Sequence, residues 1–392
     1  MASKTRIVVV GGSFAGLEVL STFSKHKERL NLDIILVEPH NHFHYNLAFV
    51  RAVTQPDFAE KCFIPLANAT VFTSGAVKHV RARVSKALDD RVVLEDGEEI
   101  AFDYLVVATG SRFGVPGRPS GDTVHEVTRQ LVVAREAVER ARRILVVGTG
   151  AVGIELAGEL TDLPGKEVTL VGSGLLAHDA GISDRLRDKL RDKLTRDRGV
   201  RLVLGTRVQV TAEQRAAGYV DEKRMWHLAN GEQIEADLMF TCTGHTGLNT
   251  ELAESLGGGD GDGREQVIDP GTQAIRVRPT MQLRAHDHIF AVGDCNDYGR
   301  KLAFVARQQA AMAANNLLKL VRKRATTSAG CTTELDEFKP MDACIVTLGA
   351  RDGAAQLPYI GTVGRTLAVM LKGKDFMLRR NYKQLNATAP SF

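Results

Sequence analysis

One pattern, written twice, narrows the fold more than any other feature. Ile7-Val8-Val9-Val10 runs into Gly11-Gly12-Ser13-Phe14-Ala15-Gly16, and Ile144-Leu145-Val146-Val147 runs into Gly148-Thr149-Gly150-Ala151-Val152-Gly153. A short, continuously apolar run ending in a glycine turn reads as a strand buried on both faces. Small residues after each turn open a helix, and second apolar runs follow at Asp33–Val37 and Glu167–Val171. Each copy is therefore a βαβ unit, the building block of a parallel sheet.

Gly148-x-Gly150-x-x-Gly153 meets the GxGxxG fingerprint in full and in the strand–turn–helix setting that gives it meaning. Its glycines permit a tight turn, close approach of a pyrophosphate and close helix–strand packing, while the helix N-terminus offers N–H groups to phosphate. A tight turn without ligand is the alternative. In the first copy Ser13 replaces the middle glycine; it is small and its hydroxyl can bond phosphate. Glu38 ends the next strand, about 20 residues past the turn, where a carboxylate bonds a ribose diol. The second copy has Gly172-Ser173 there, so a 2′-phosphate is not repelled and NADPH is expected to be accepted as well as NADH.

The echo extends further. Val92-Val93-Leu94, a hairpin through Asp96-Gly97, and the run Tyr104–Val107 ending in Ala108-Thr109-Gly110 are matched by Trp226–Leu228, Asn230-Gly231, and Leu238–Phe240 ending in Thr243-Gly244. Near the C-terminal end, Ile289–Val292 enters Gly293-Asp294, followed by a small-residue helix over 302–318. Such an Asp can bond a flavin ribityl chain, with the helix aiming its positive end at the ring; an ordinary helix N-cap is the alternative. Together and in this order, these elements match flavoproteins with two dinucleotide-binding domains. The expected fold is α/β with two Rossmann-like (glutathione-reductase-like) domains and a small C-terminal α+β module. FAD would bind to 1–115 and 245–325, NAD(P)H to 116–244, and the module would be 326–392, after a linker at Ala325–Gly330. A Gly/Asp loop is expected over Gly257–Gly263, and a solvated amphipathic helix over 184–198.

Cysteines at 62, 242, 295, 331 and 344 form no CxxC and no metal-ligand spacing, so no metal site is expected. A redox pair is missing from both places where flavin disulfide reductases carry one. Electrons must then leave the flavin directly, to a quinone, oxygen or a protein carrier. Lys and Arg exceed Asp and Glu by 51 − 47 = 4, too small an excess to argue for nucleic acid. No apolar run approaches the roughly 20 residues that span a bilayer. With Ala2 after Met1 and no targeting segment, the expected address is the cytoplasm, without N-myristoylation.

Val9–Gly16, Phe43-His44-Tyr45-Asn46 with Arg51-Ala52, Phe63-Ile64, Val147–Glu155, Gly293-Asp294-Cys295 and Gly349–Gly353 together resemble the ferroptosis suppressor (AIF-like) family, with its fungal and protist relatives, along nearly the whole chain. The resemblance implies an FAD-dependent NAD(P)H:quinone oxidoreductase acting on ubiquinone-like or other quinones. It also implies Glu155 near nicotinamide and flavin, and the Phe43–Arg51 loop beside the isoalloxazine. Ala2 departs from the myristoylated Gly of the vertebrate branch, which argues against stable anchorage.

The residues support parts of this independently. Glu155, just past the last fingerprint glycine, can bond the nicotinamide carboxamide and orient C4; a solvated helix Glu is the alternative. Lys301 and Gln308 can meet the ring or the quinone. His44, with His42 on the other side of Phe43, is a proton donor or a packing residue. Arg51 supports an anionic reduced flavin or makes a surface ion pair. Leu367–Leu371, with Lys372, Lys374, Arg379, Arg380 and Lys383 after it, suits an anionic membrane surface, a homodimer interface or core packing; the protein is expected to be a monomer or homodimer. A signalling flavoprotein with slow redox chemistry is the second reading, and an oxygen or carrier-protein reductase the third.

Overall fold

Thr5–Val10 and Arg143–Val147, the two fingerprint strands, each lie inside a five-stranded sheet. The computed structural model describes residues 4–179, 181–257, 266–325 and 333–391. Most of the Gly257–Gly263 loop, the linker after Ala325, and Cys331 lie outside the described residues.

Contacts divide the chain into two units. The first runs through Phe43, Pro65–Ser111 and Gly247–Pro340. Its sheet is all-parallel, in the order Ile289–Ala291, Tyr104–Val107, Thr5–Val10, Leu32–Val37, Val77–Val80. Ile7, Val8 and Val9 are fully buried, as a strand covered on both faces requires. Helix Phe14–Ser24, which follows the first glycine turn, packs on the long helix Ala303–Ala325. The antiparallel strands Arg91–Leu94 and Glu99–Ala101 form the expected hairpin.

The second unit holds 44–64, Arg112–Thr246 and Met341–Phe392. Its sheet runs Arg201–Leu204, Glu167–Gly172, Arg143–Val147, Leu238–Thr241 in parallel, with Tyr219–Val220 antiparallel at the edge. Trp226, 1% exposed, pins the hairpin Arg224–His227/Gln233–Ala236 to this sheet among Leu145, Val171 and Met239. The amphipathic helix forms over Asp184–Asp192 and continues as a π-turn to Asp197. Its Leu186, Leu190 and Leu194 are fully buried, each stabilising by about 1.5–3 kcal/mol relative to exposure. Cys344–Thr347, Gly353–Leu357 and Gly361–Val363 make a three-stranded antiparallel sheet.

Two placements differ from the expected boundaries. Residues 44–64 group with the second unit, because Arg51 is buried against Glu159, and Tyr382 hydroxyl lies 3.2 Å from both Lys61 O and Phe63 O. Residues 341–392 also belong to the second unit rather than standing alone.

Candidate functional site

Glycine chemistry shapes both fingerprint turns in the same way. Gly11 and Gly148 have φ of 105° and 117°, and a Cβ on either would fall on the carbonyl of Ala108 or of Cys242. A Cβ on Gly16 or Gly153 would fall on the carbonyl of Gly11 or Gly148. These four glycines are demanded by the protein's own packing. Gly150 is not: a Cβ there would meet nothing nearer than His178 Cε1, at 3.7 Å. Its small size leaves open the place where a pyrophosphate approaches the helix N-terminus.

In the first unit, Ser13 stands at the N-cap of its helix but its side chain makes no capping bond, as suits a hydroxyl facing phosphate. Glu38 takes the Gly12 N–H at 2.6 Å and the His40 ring at 2.5 Å. Burial opposes its charge, but these donors outweigh it and hold the carboxyl below its ordinary range. Phe14 packs edge-on to Phe43 with ring centroids 5.0 Å apart, and Arg307 lies 5.3 Å from the Phe14 ring. Ala15 and Ala306 line the space beside Gly293. Ala108-Thr109-Gly110 is locked to Asn249, which donates to Thr109 O and Gly110 O at 3.0 Å each.

Asp294 sits in a short 3₁₀ turn, Gly293–Cys295, and accepts from Ser111 Oγ at 2.6 Å. The helix begins at Ala303, within one residue of the expected start, so Asp294 is not its N-cap and that alternative is corrected. Gln309, 1% exposed, accepts the Gly293 N–H instead. Lys301 donates to Asn296 O, and burial lowers its ammonium pKa against the pull of nearby acids. Gln308 Oε1 is buried without a partner. An unspent acceptor, an uncapping serine and a ribose-height carboxylate fit a bound FAD.

In the second unit, Glu155 is 4% exposed, which corrects the solvated alternative. Its Oε1 accepts from Thr347 N at 3.0 Å, Thr347 Oγ1 at 3.2 Å and Lys372 Nζ at 2.6 Å. Lys372 and Phe376, in the C-terminal run for which a membrane surface, a dimer interface and core packing were all open, are buried. Arg51 is 1% exposed and bidentate to Glu159, so the surface ion pair is also corrected. His44 packs edge-on to Phe63 at 5.0 Å. Gly172 is glycine because a Cβ would strike the Thr149 side chain, so this strand end has no room for the carboxylate found at Glu38. Gly244, with φ of 96°, closes the Thr243-Gly244 turn in open space.

Asn249, Gln309 and Arg307 drew no attention in the sequence, and Lys372 stood out only as one charge of a basic run. Asn249, Arg307 and Lys372 meet partners far along the chain, which neither pattern nor spacing marks. Cys62, Cys242 and Cys295 are free thiols. Burial pushes the Cys242 thiol up to about 12 and raises Cys62 and Cys295 as well, so reactive thiolate is scarce. No group of metal-ligating residues occurs among the described residues.

The pyridine nucleotide-disulphide oxidoreductase family model matches residues 5–310. The chain is 30% identical to ferroptosis suppressor protein 1 of Xenopus tropicalis, covering 98% of this chain and 97% of that one. It is 26% identical to apoptosis-inducing factor homolog B of Dictyostelium discoideum, covering 99% of each. The sulfide:quinone oxidoreductase structure from Aquifex aeolicus matches its fold with a TM-score of 0.71 at 18% identity, over 99% of this chain and 93% of that one. The chain belongs to the pyridine nucleotide-disulphide oxidoreductase family, among ferroptosis suppressor and apoptosis-inducing factor homologues, and is an FAD-dependent oxidoreductase that uses NAD(P)H.

Proposed function

We propose that this protein is an NAD(P)H:quinone oxidoreductase without a redox disulfide. Gly11–Gly16, Glu38 and Asp294 would hold FAD, which would supply hydride acceptance from the reduced nicotinamide and two-electron donation to the quinone. The observation that carries this reading is the pair of open fingerprint turns together with buried thiols of raised pKa. The turns would receive two dinucleotides, and Cys62, Cys242 and Cys295, buried with raised pKa, are poor candidates for a disulfide route.

In this reading Gly11–Gly16 receive the FAD pyrophosphate, Glu38 the adenosine ribose, and Asp294 the ribityl chain, with Ser111 orienting its carboxylate. Ala108-Thr109-Gly110 and Gly293 line the same cofactor. Gly148, Gly150 and Gly153 receive the nicotinamide dinucleotide, with Gly244 at the rim. The bare Gly172 supports use of NADPH as well as NADH. Glu155 fixes the nicotinamide carboxamide, its own position set by Thr347 and Lys372. Lys301 and His44 are the groups proposed to supply or hold a proton for the quinone.

Exposed Tyr359, Ile360, Met370 and Leu371, with exposed Arg365, Lys374, Arg379, Arg380 and Lys383, support peripheral contact with an anionic bilayer. No helix among the described residues is long and apolar enough to cross a membrane. A signalling role with slow redox chemistry gains no separate structural observation.

The test is steady-state oxidation of NADH and of NADPH with a soluble ubiquinone analogue, before and after exhaustive thiol alkylation of the folded protein. Turnover that depends on quinone and survives alkylation is expected. Turnover that needs no quinone, or that dies with the thiols, overturns the reading.

A further inference from the structure

Glu155 and Glu159 stand four residues apart on helix Ala151–Thr161, on one face, and both are nearly fully buried. Two carboxylates side by side in a low dielectric are costly to keep charged, and here each meets a cation. Lys372 serves the first and Arg51 the second, each at 2.6 Å. The two cations share one ring: the Arg51 guanidinium lies 4.5 Å from the Phe376 centroid and Lys372 Nζ lies 5.3 Å from it.

Arg51 also grips the backbone that carries Lys372. Its Nη1 donates to Lys374 O at 2.9 Å, two residues further on. Tyr45 hydroxyl, from the same 44–64 segment, donates to Phe376 O at 2.8 Å. The gripped backbone is strained: Phe376 and Met377 both take positive φ, 52° and 64°. Such a conformation in a bulky residue persists only where surrounding contacts over-determine it.

We infer that Arg51 is a positioning residue for Lys372, and through it for Glu155, with Tyr45 as its second grip on the same turn. The inference rests on the oxidoreductase reading only where it bears on turnover; the placement of Lys372 is a matter of this unit alone. Arginine is required because one planar fork must meet Glu159 bidentately, reach Lys374 O and lie over Phe376 at once. Lysine keeps the charge beside Glu159 but cannot make all three contacts.

The experiment uses the holoprotein and reads Lys372 directly, by mass spectrometry of amine acetylation, with exposed Lys374 and Lys383 as internal references. In Arg51→Lys, with the melting transition intact, Lys372 labelling is expected to rise about fivefold or more as the turn opens more often. Tyr45→Phe, which leaves the ion pair untouched, is expected to give a smaller rise. If Arg51→Lys does not fold, the Tyr45→Phe result decides. Unchanged Lys372 labelling in the folded variants overturns the inference, whatever the activity. A cycle with Lys372→Met supplies the second readout: Arg51→Lys should add little to the kcat loss already caused by Lys372→Met. Additive losses would assign Arg51 a separate, merely structural role. A wild type inactive toward quinone would sink the function reading and leave the labelling result standing.

Discussion

Lys372 donates to Glu155 at 2.6 Å across a sequence separation of 217, joining the fingerprint helix to the C-terminal segment inside one unit. Breaking a buried pair by removing one partner costs about 3–5 kcal/mol, since an uncompensated charge stays behind. Lys372→Met should therefore destabilise by roughly that amount in urea unfolding. The double variant Glu155→Gln/Lys372→Met should recover most of the loss, yet oxidise NADH about 100-fold more slowly, because the group proposed to orient the nicotinamide is gone. Recovery of both stability and turnover would remove Glu155 from the chemistry.

The fingerprint glycines separate into two kinds. Gly153→Ala should fail to fold, with its Cβ driven into Gly148 O. Gly150→Ala should fold normally, because its Cβ meets only His178 Cε1, at 3.7 Å. It should nonetheless raise KM for NADH about tenfold, about 1.4 kcal/mol, by crowding the pyrophosphate. Circular dichroism melts and steady-state kinetics of the two variants check this; an unchanged KM in Gly150→Ala contradicts the assignment.

Glu38 links the first unit's stability to pH. Its folded carboxyl is held below the ordinary 4.5, so its contribution is present above that pH and is lost as pH falls through the lower folded value. Urea unfolding of the apoprotein should show wild type and Glu38→Gln separated by a constant amount above about pH 4.5. Below that, the gap should close. Glu38→Gln should also bind FAD more weakly, by about tenfold, seen in flavin fluorescence titrations. A gap that stays constant down to acid unfolding would mean that Glu38 carries no linkage.

Exposed Met370 and Leu371 are the accessible part of the C-terminal apolar run, while Lys372 and Phe376 turn inward. Met370→Glu/Leu371→Glu should fold normally and lose co-sedimentation with vesicles containing anionic phosphatidylserine, about tenfold in affinity. Vesicle binding unaffected by the pair, or a dimer that dissociates instead, would reassign this surface.

The legible part of the molecule was local. Strand, glycine turn and helix follow one another within a dozen residues, so Gly11–Gly16, Glu38 and Gly148–Gly153 announced themselves by spacing. The illegible part was long-range pairing. Arg51 looked like a loop cation and Lys372 like one charge in a basic run, because nothing near either in the chain signals a buried carboxylate. Glu159, Arg51's partner, drew no attention on a helix where acids are ordinary. Residues 44–64 follow the first unit in the chain, yet tertiary pairing places them in the second. The small-residue helix after Asp294 was placed within a residue of its start at Ala303, but the 3₁₀ turn at Gly293–Cys295 had no clear sequence marker.

The most direct test of the central claim is anaerobic double-mixing stopped flow on the flavin-loaded protein. NADH or NADPH is added first and a soluble ubiquinone analogue second, while the flavin's yellow absorbance is followed. Rapid bleaching by both nucleotides and rapid, full recolouring by quinone are expected, each faster than steady-state turnover. Bleaching slower than turnover, or a reduced flavin that quinone does not reoxidise, would contradict the claim.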